Sequence, residues 1–194
     1  MIQLSGPLAL QELLLGNRRY VEDRPRHPDQ THFDRESLVT SQAPSVVVVG
    51  CSDSRVPPTV IFDQGLGFVY EVRTAGHVLD DIAIASIEFA VANLGTQLVM
   101  VLGHTGCGAV TMVVEGHEAP GHLAEVAARL ASVVEMVRDE QSDVLRRAVE
   151  TNVLMTVEDL RAMEPIISPL EDEGKVEVVG AIYDMHTGVV TVLD

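Results

Sequence analysis

Ser45-Val46-Val47-Val48-Val49-Gly50, followed at once by Cys51-Ser52-Asp53-Ser54-Arg55, decides how this chain folds. An unbroken β-branched run with no polar alternation suits a strand covered on both faces, as in the interior of a parallel sheet. Phe68 to Arg73 and Gln97 to Leu102 have the same character. Between those two, Asp81 to Leu94 repeats its apolar residues at helical spacing, opens on an acid and runs into Gly95, a helix-stopping residue. Strand, helix and strand in that order predict an α/β fold, with a central, mostly parallel sheet flanked by helices.

Toward the N-terminus, Pro7 stands where a helix would start. Leu8, Leu10, Leu13, Leu14 and Leu15, with Glu12, Asn17, Arg18 and Arg19 between and after them, give an amphipathic helix. Arg24-Pro25-Arg26-His27-Pro28 reads as a breaker-rich linker, and Phe33 to Gln42 as a short helix before the first strand. A helical arm on such a linker would expose its apolar face, so it is expected to pack on a partner subunit in a homodimer or homotetramer. Toward the C-terminus, helical patterns run from about His122 to Arg138 and from Ser142 to Met163. Lys175 to Tyr183 and Val189 to Leu193 read as strands joined by a His186-Thr187-Gly188 turn. The expectation is one domain over 1–194: an arm at 1–42, the core that carries the candidate site at 43–115, and the last helices and strands at 116–194.

A chain of 194 residues, 46% apolar, suits one such domain. Its formal charge of −16, without a Lys/Arg patch, argues against a nucleic-acid partner. The longest apolar stretch, Ile82 to Leu102, is interrupted by Glu88, Asn93, Gly95 and Gln97, so no membrane span is expected. Met1 to Gly16 has no basic segment or small-residue cleavage site of a secretory signal, which points to the cytoplasm. The only cysteines are Cys51 and Cys107, and two thiols in a reducing compartment point to a metal or reactive centre rather than a structural bridge.

In open parallel sheets, ligands collect outside the carboxyl ends of the strands. Cys51 and His104 each follow a predicted buried strand, so both fall on that edge, and Cys107 comes three residues after His104 at the opening of a helix, where the helix N-terminus favours a thiolate. Two sulfurs and one imidazole are the three protein ligands of a catalytic zinc site with an open fourth position. Two thiolates leave zinc little net positive charge, so bound water needs help to ionise. Asp53 is placed to accept a hydrogen bond from that water, and Arg55 to hold the carboxylate by a bidentate pair; the plainer reading is that the two only staple the loop. Two other readings stay open: Gly103, Gly106 and Gly108 as an anion loop, and a structural zinc site with Asp53 as permanent fourth ligand.

These motifs resemble those of the β-carbonic anhydrases. Cys51-Ser52-Asp53-Ser54-Arg55-Val56 matches that family's first zinc motif and Gly103-His104-Thr105-Gly106-Cys107-Gly108-Ala109 its second. Further likenesses lie at Leu15 to Tyr20, Arg73-Thr74-Ala75-Gly76-His77, Ser86 to Val91, Gly180 to Asp184 and Thr187-Gly188. The resemblance implies one Zn2+ per chain on Cys51, His104 and Cys107, and reversible hydration of carbon dioxide to bicarbonate through attack by zinc-bound hydroxide. It makes Asp53 and Arg55 the catalytic dyad, with Asp53 able to swing onto zinc as a fourth ligand in a closed state. It also assigns the substrate pocket to Gln42, Val56, Tyr70, Phe89 and Gly108, the two aromatic residues at a dimer interface. His77, His117 and His122 are candidate proton shuttles. Many members have Asn where this chain has Thr74 and His77, and the tryptophan of a regulatory bicarbonate pocket has no counterpart here, since the chain has no Trp. Members that hydrolyse carbonyl sulfide or carbon disulfide share the same zinc motifs.

Overall fold

The computed structural model describes residues 3–138 and 143–193. Its elements are α1 (Gly6–Val21), α2 (His32–Ser37), β1 (Val46–Cys51), α3 (Pro58–Ile61), β2 (Val69–Thr74), a 3-10 turn at Ala75–His77, α4 (Asp81–Leu94), β3 (Leu98–His104), α5 (Gly108–Val114), α6 (Leu123–Val137), α7 (Val144–Arg161), α8 (Ile167–Asp172), β4 (Glu177–Tyr183) and β5 (Val190–Leu193). The sheet has the order β2-β1-β3-β4-β5, with the first four strands parallel and β5 antiparallel to β4.

The two interior strands are the apolar runs of the sequence. Every residue of β1 and of β3 is buried. Successive side chains alternate between faces: Val47, Val49, Val99, Val101 and Val178 meet Ile87 and Val91 of α4 and Val153 and Val157 of α7, whereas Val46, Val48, Leu98, Met100 and Ala181 meet Ala9 and Leu13 of α1 and Ile61 beside Phe62. Helix α7 lies close on the sheet because Gly103 leaves room for it; a Cβ there would stand 2.5 Å from Val153 Cγ2.

The N-terminal helix makes contacts with its own chain that the sequence did not announce. It is not a free arm: Gly6, Ala9, Leu13, Gly16 and Asn17 bury a stripe against its own chain. Gly16 is in such close contact that a Cβ would lie 1.7 Å from the Phe62 carbonyl oxygen. Asn17 donates to the carbonyls of Ile61 (3.3 Å) and Gly188 (2.9 Å) and accepts from the Val190 N–H (2.9 Å). The linker is anchored too, since the Asp63 carboxylate accepts from the backbone N–H groups of Arg26 and His27 and pairs with Arg19 at 2.6 Å. A partner has only the other face of α1 to cover, which exposes Leu8 and Leu15.

Other differences are local. The helix expected over Phe33 to Gln42 spans only His32–Ser37: a reciprocal cap between Thr31 and Asp34 fixes its start. Val39, Thr40 and Ser41 beyond it favour non-helical backbone. The expected start of the last long helix, Ser142, lies outside the described residues; Asp143 caps α7 by accepting from the Arg146 N–H. Strand β4 begins at Glu177 rather than Lys175, because the N–H groups of Lys175 and Val176 are taken by the Leu170 carbonyl. Gly95 caps α4 in the left-handed region, as its position predicts. No described helix is long and apolar enough to cross a membrane.

Candidate metal centre

Strands β1 and β3 are hydrogen-bonded neighbours with Gly50 opposite Leu102, so their last residues, Cys51 and His104, emerge side by side at the carboxyl edge. Gly106, at φ 63°, makes the turn that brings Cys107 back to that edge as the N-cap residue of α5. The three donor atoms lie within 4.8 Å of one another, and all three residues are buried.

The cysteines are free thiols. Their sulfurs are 3.9 Å apart, close to the roughly 3.8 Å that two zinc–sulfur bonds of about 2.3 Å subtend at a tetrahedral angle. His104 Nδ1 donates to its neighbour's carbonyl, Thr105 O, at 3.0 Å. That bond places the ring proton on Nδ1 and leaves the Nε2 lone pair free to bind a metal. Among the described residues, Nε2 of His104 is the one buried side-chain nitrogen or oxygen without a hydrogen-bond partner. An acceptor so placed is costly unless something electrophilic meets it, and a cation shared with two sulfurs fits the donor set.

Charge in the pocket has the same bias. The contact between the two sulfurs draws the Cys51 thiol down, helped by the His104 ring and by backbone N–H groups, and the same contact together with burial pushes Cys107 up. Both thiols must give up their protons to ligate a metal, so cation binding is coupled to proton release. One of those N–H groups is Gly76's, 3.4 Å from Cys51 Sγ.

Beside the ligands, Asp53 is gripped by Arg55 through both carboxylate oxygens, Nε to Oδ1 at 3.0 Å and Nη2 to Oδ2 at 2.7 Å, with the Arg55 backbone N–H on Oδ1 at 2.9 Å. The guanidinium holds this carboxyl well below the usual carboxylate range. Asp53 Oδ2 lies 4.0 Å from His104 Nε2, facing the donor set while remaining paired with Arg55. Arg73 completes the frame, donating to the carbonyls of Cys51 (2.9 Å) and Asp53 (2.6 Å). Sequence reasoning noted Arg73 only within a family motif, because nothing local says that an arginine one strand away will clamp this loop.

The remaining residues divide. Val56 is buried directly behind the Asp53 loop, and Gly108 is exposed at the start of α5 with open space where a Cβ would be. Gln42, Tyr70 and Phe89 do not reach this chain's own centre. Gln42 is exposed before the amino end of β1, the far edge of the sheet. Tyr70 pairs with Val47, four residues before Cys51, or roughly 13 Å at about 3.3 Å per residue. Phe89 points outward from α4, 47% exposed. Of the three candidate shuttles, His77 is ruled out as a direct relay to solvent, being 2% exposed and bonded to Asn152, whereas His117 and His122 are exposed.

Comparison with known proteins agrees with this geometry. Residues 46–190 match the family model described as carbonic anhydrase. Carbonic anhydrase 2 of Mycobacterium tuberculosis is 38% identical over 95% of this chain and 91% of its own length. The carbonic anhydrase of Pseudomonas aeruginosa is 30% identical over 95% of this chain and 88% of its own. Among solved structures, a tetrameric β-carbonic anhydrase of Sordaria macrospora superposes with a TM-score of 0.77 at 26% identity, covering 96% of this chain and 97% of that one. The Coccomyxa β-carbonic anhydrase bound to acetazolamide gives 0.76 at 27% identity, covering 95% and 86%. With the family's model covering both ligand-bearing strands, a relative similar along nearly the whole length and the same fold around the same edge, the chain belongs to the β-carbonic anhydrases.

Proposed function

We propose that this enzyme uses one zinc ion per chain, held by Cys51, His104 and Cys107, to interconvert carbon dioxide and water with bicarbonate and a proton. The observation that carries the reading is the orphaned Nε2 of His104, buried and aimed at two sulfurs 3.9 Å apart. Zinc, when bound, supplies a Lewis acid that ionises water near neutral pH and so provides a nucleophile for carbon dioxide. The chain's own groups do the rest. Asp53 accepts a hydrogen bond from the attacking oxygen and so orients its lone pair toward the substrate carbon. Arg55 keeps that carboxylate aimed, and Arg73 fixes the loop that bears it. Val56 and Gly108 border the substrate.

Gln42, Tyr70 and Phe89 can act on substrate only across a subunit interface. We assign them to the site of a second copy in a homodimer or higher homo-oligomer, supported by the exposed apolar side chains of Leu8, Leu15, Phe33, Ile82 and Phe89. The 1–194 chain is then one catalytic domain, acting in the cytoplasm, where both thiols stay reduced.

The test is metal content measured together with stopped-flow carbon dioxide hydration, on the native protein and on Cys107→Ser. Native protein should carry one zinc per chain and turn over, and the variant should lose both properties. A fully active variant would sink the assignment. Comparing carbon dioxide with carbonyl sulfide and carbon disulfide in the same preparation settles the substrate.

A further inference from the structure

The buried stripe of α7 is apolar except at one place: Ala148, Val149, Val153, Val157 and Leu160 are joined by Asn152. An amide sunk in such a stripe costs stability unless its polar ends are bonded, and the bonds it makes lead to the metal centre. Asn152 Nδ2 donates to the Gly76 carbonyl at 3.0 Å and lies 2.8 Å from His77 Nε2. A carbonyl can only accept, so this end of the amide is the NH2 group. Its second N–H therefore goes to His77 Nε2, and the imidazole carries its proton on Nδ1.

The two residues so held are unusual. Gly76 and His77 both have left-handed backbone, at φ 62° and φ 47°, a conformation that costs a non-glycine residue energy and persists only where neighbours enforce it. In that conformation the Gly76 N–H points at Cys51 Sγ. Gly76 cannot easily be replaced, since a Cβ would meet Ala109 at 3.1 Å and Leu130 at 3.2 Å.

We propose that Asn152 is a positioning residue for the metal: by pinning the Gly76 carbonyl and the His77 ring, it holds the Gly76 N–H on the Cys51 sulfur. A helix that bears no ligand thus sets the direction and electron density of one thiolate ligand, because an N–H donor draws charge from the sulfur and fixes its lone pairs. This rests on the zinc reading of Cys51, His104 and Cys107.

The experiment measures zinc affinity by chelator competition, and the thiolate-to-metal charge-transfer band of the cobalt(II)-substituted protein. It compares the native enzyme with Asn152→Leu, which keeps the branched shape and heavy-atom count and removes the bonds, and with Val157→Ala, which thins the packing of the same helix five residues on. Asn152→Ser, smaller and still polar, carries the test should leucine prevent folding. Loss of an outer-shell partner weakens metal binding roughly 10- to 100-fold; the Asn152 variants should show that loss and a shifted band. Val157→Ala should lose stability with metal affinity and spectrum unchanged. Asn152 variants that bind zinc within about twofold of the native enzyme, with an unmoved band, would overturn the proposal alone and leave the three ligands intact, since outer-shell losses are at least tenfold. A native protein that binds no zinc would overturn the underlying reading as well.

Discussion

Arg55→Met separates a catalytic dyad from a mere loop staple. Asp53 accepts three N–H bonds from Arg55, two from the guanidinium and one from the backbone, and the substitution removes only the first two. The Arg55 side chain is 60% exposed, so its ion pair is screened by solvent and contributes little to folding. The melting temperature should barely move. Activity should move more, since Asp53 then keeps its loop position but loses the clamp that aims it. A lost supporting partner costs about 10- to 100-fold, equivalent to about 1.4–2.7 kcal/mol in the barrier. The carboxyl should also rise toward its ordinary range. A depressed carboxyl contributes stability above its unfolded value and loses it as pH falls through the folded value; with Arg55 largely exposed that contribution is small, and the variant should show a slightly flatter acid limb. Stopped-flow hydration with a pH indicator and thermal unfolding give the two readouts. Activity within about twofold of native, below the outer-shell range, would refute the dyad and leave Arg55 as a staple.

Gly16→Ala drives a Cβ toward the Phe62 carbonyl and should destabilise the protein by about 2 kcal/mol or more, read by urea unfolding; a neutral effect would mean that α1 does not dock on its own chain. Burial pushes His77 down to about 4 from the ordinary 6.5. The unfolded chain therefore binds the extra proton first, so stability is intact above 6.5 and falls with pH toward 4 by about 3 kcal/mol. His77→Asn, which tolerates the left-handed backbone, should flatten that slope in unfolding curves taken from pH 4.5 to 7. Zinc added to chelator-stripped protein near neutral pH should release protons, because cysteine ligands bind as thiolates; calorimetry in buffers of different ionisation enthalpy measures it, and no release would count against the cysteines as ligands. Light scattering at micromolar concentration should give at least the mass of a dimer, and a single-chain mass would withdraw the roles of Gln42, Tyr70 and Phe89.

The parts legible in the sequence were those with local causes. The valine run of β1, its counterpart in β3 and the glycine that ends α4 signal themselves through side-chain shape and backbone permission, and their order implies parallel pairing. That pairing alone puts Cys51 and His104 on one edge. What could not be read depended on distant partners. Arg73 and Asn152 look like an ordinary strand arginine and a stray helix amide until β2 and α7 are laid against the Cys51 loop. The docking of the first helix on its own chain was not read, because Ala9 and Gly16 bury little area but permit close approach. Gln42, Tyr70 and Phe89 resemble pocket residues by motif, yet the sheet carries them away from the site of their own chain.

X-ray absorption at the zinc edge of the purified enzyme tests the centre most directly. The account predicts two sulfur neighbours at about 2.3 Å and one imidazole nitrogen at about 2.0 Å, completed by a light atom. A zinc shell of nitrogen and oxygen alone, or one with a single sulfur, would contradict it.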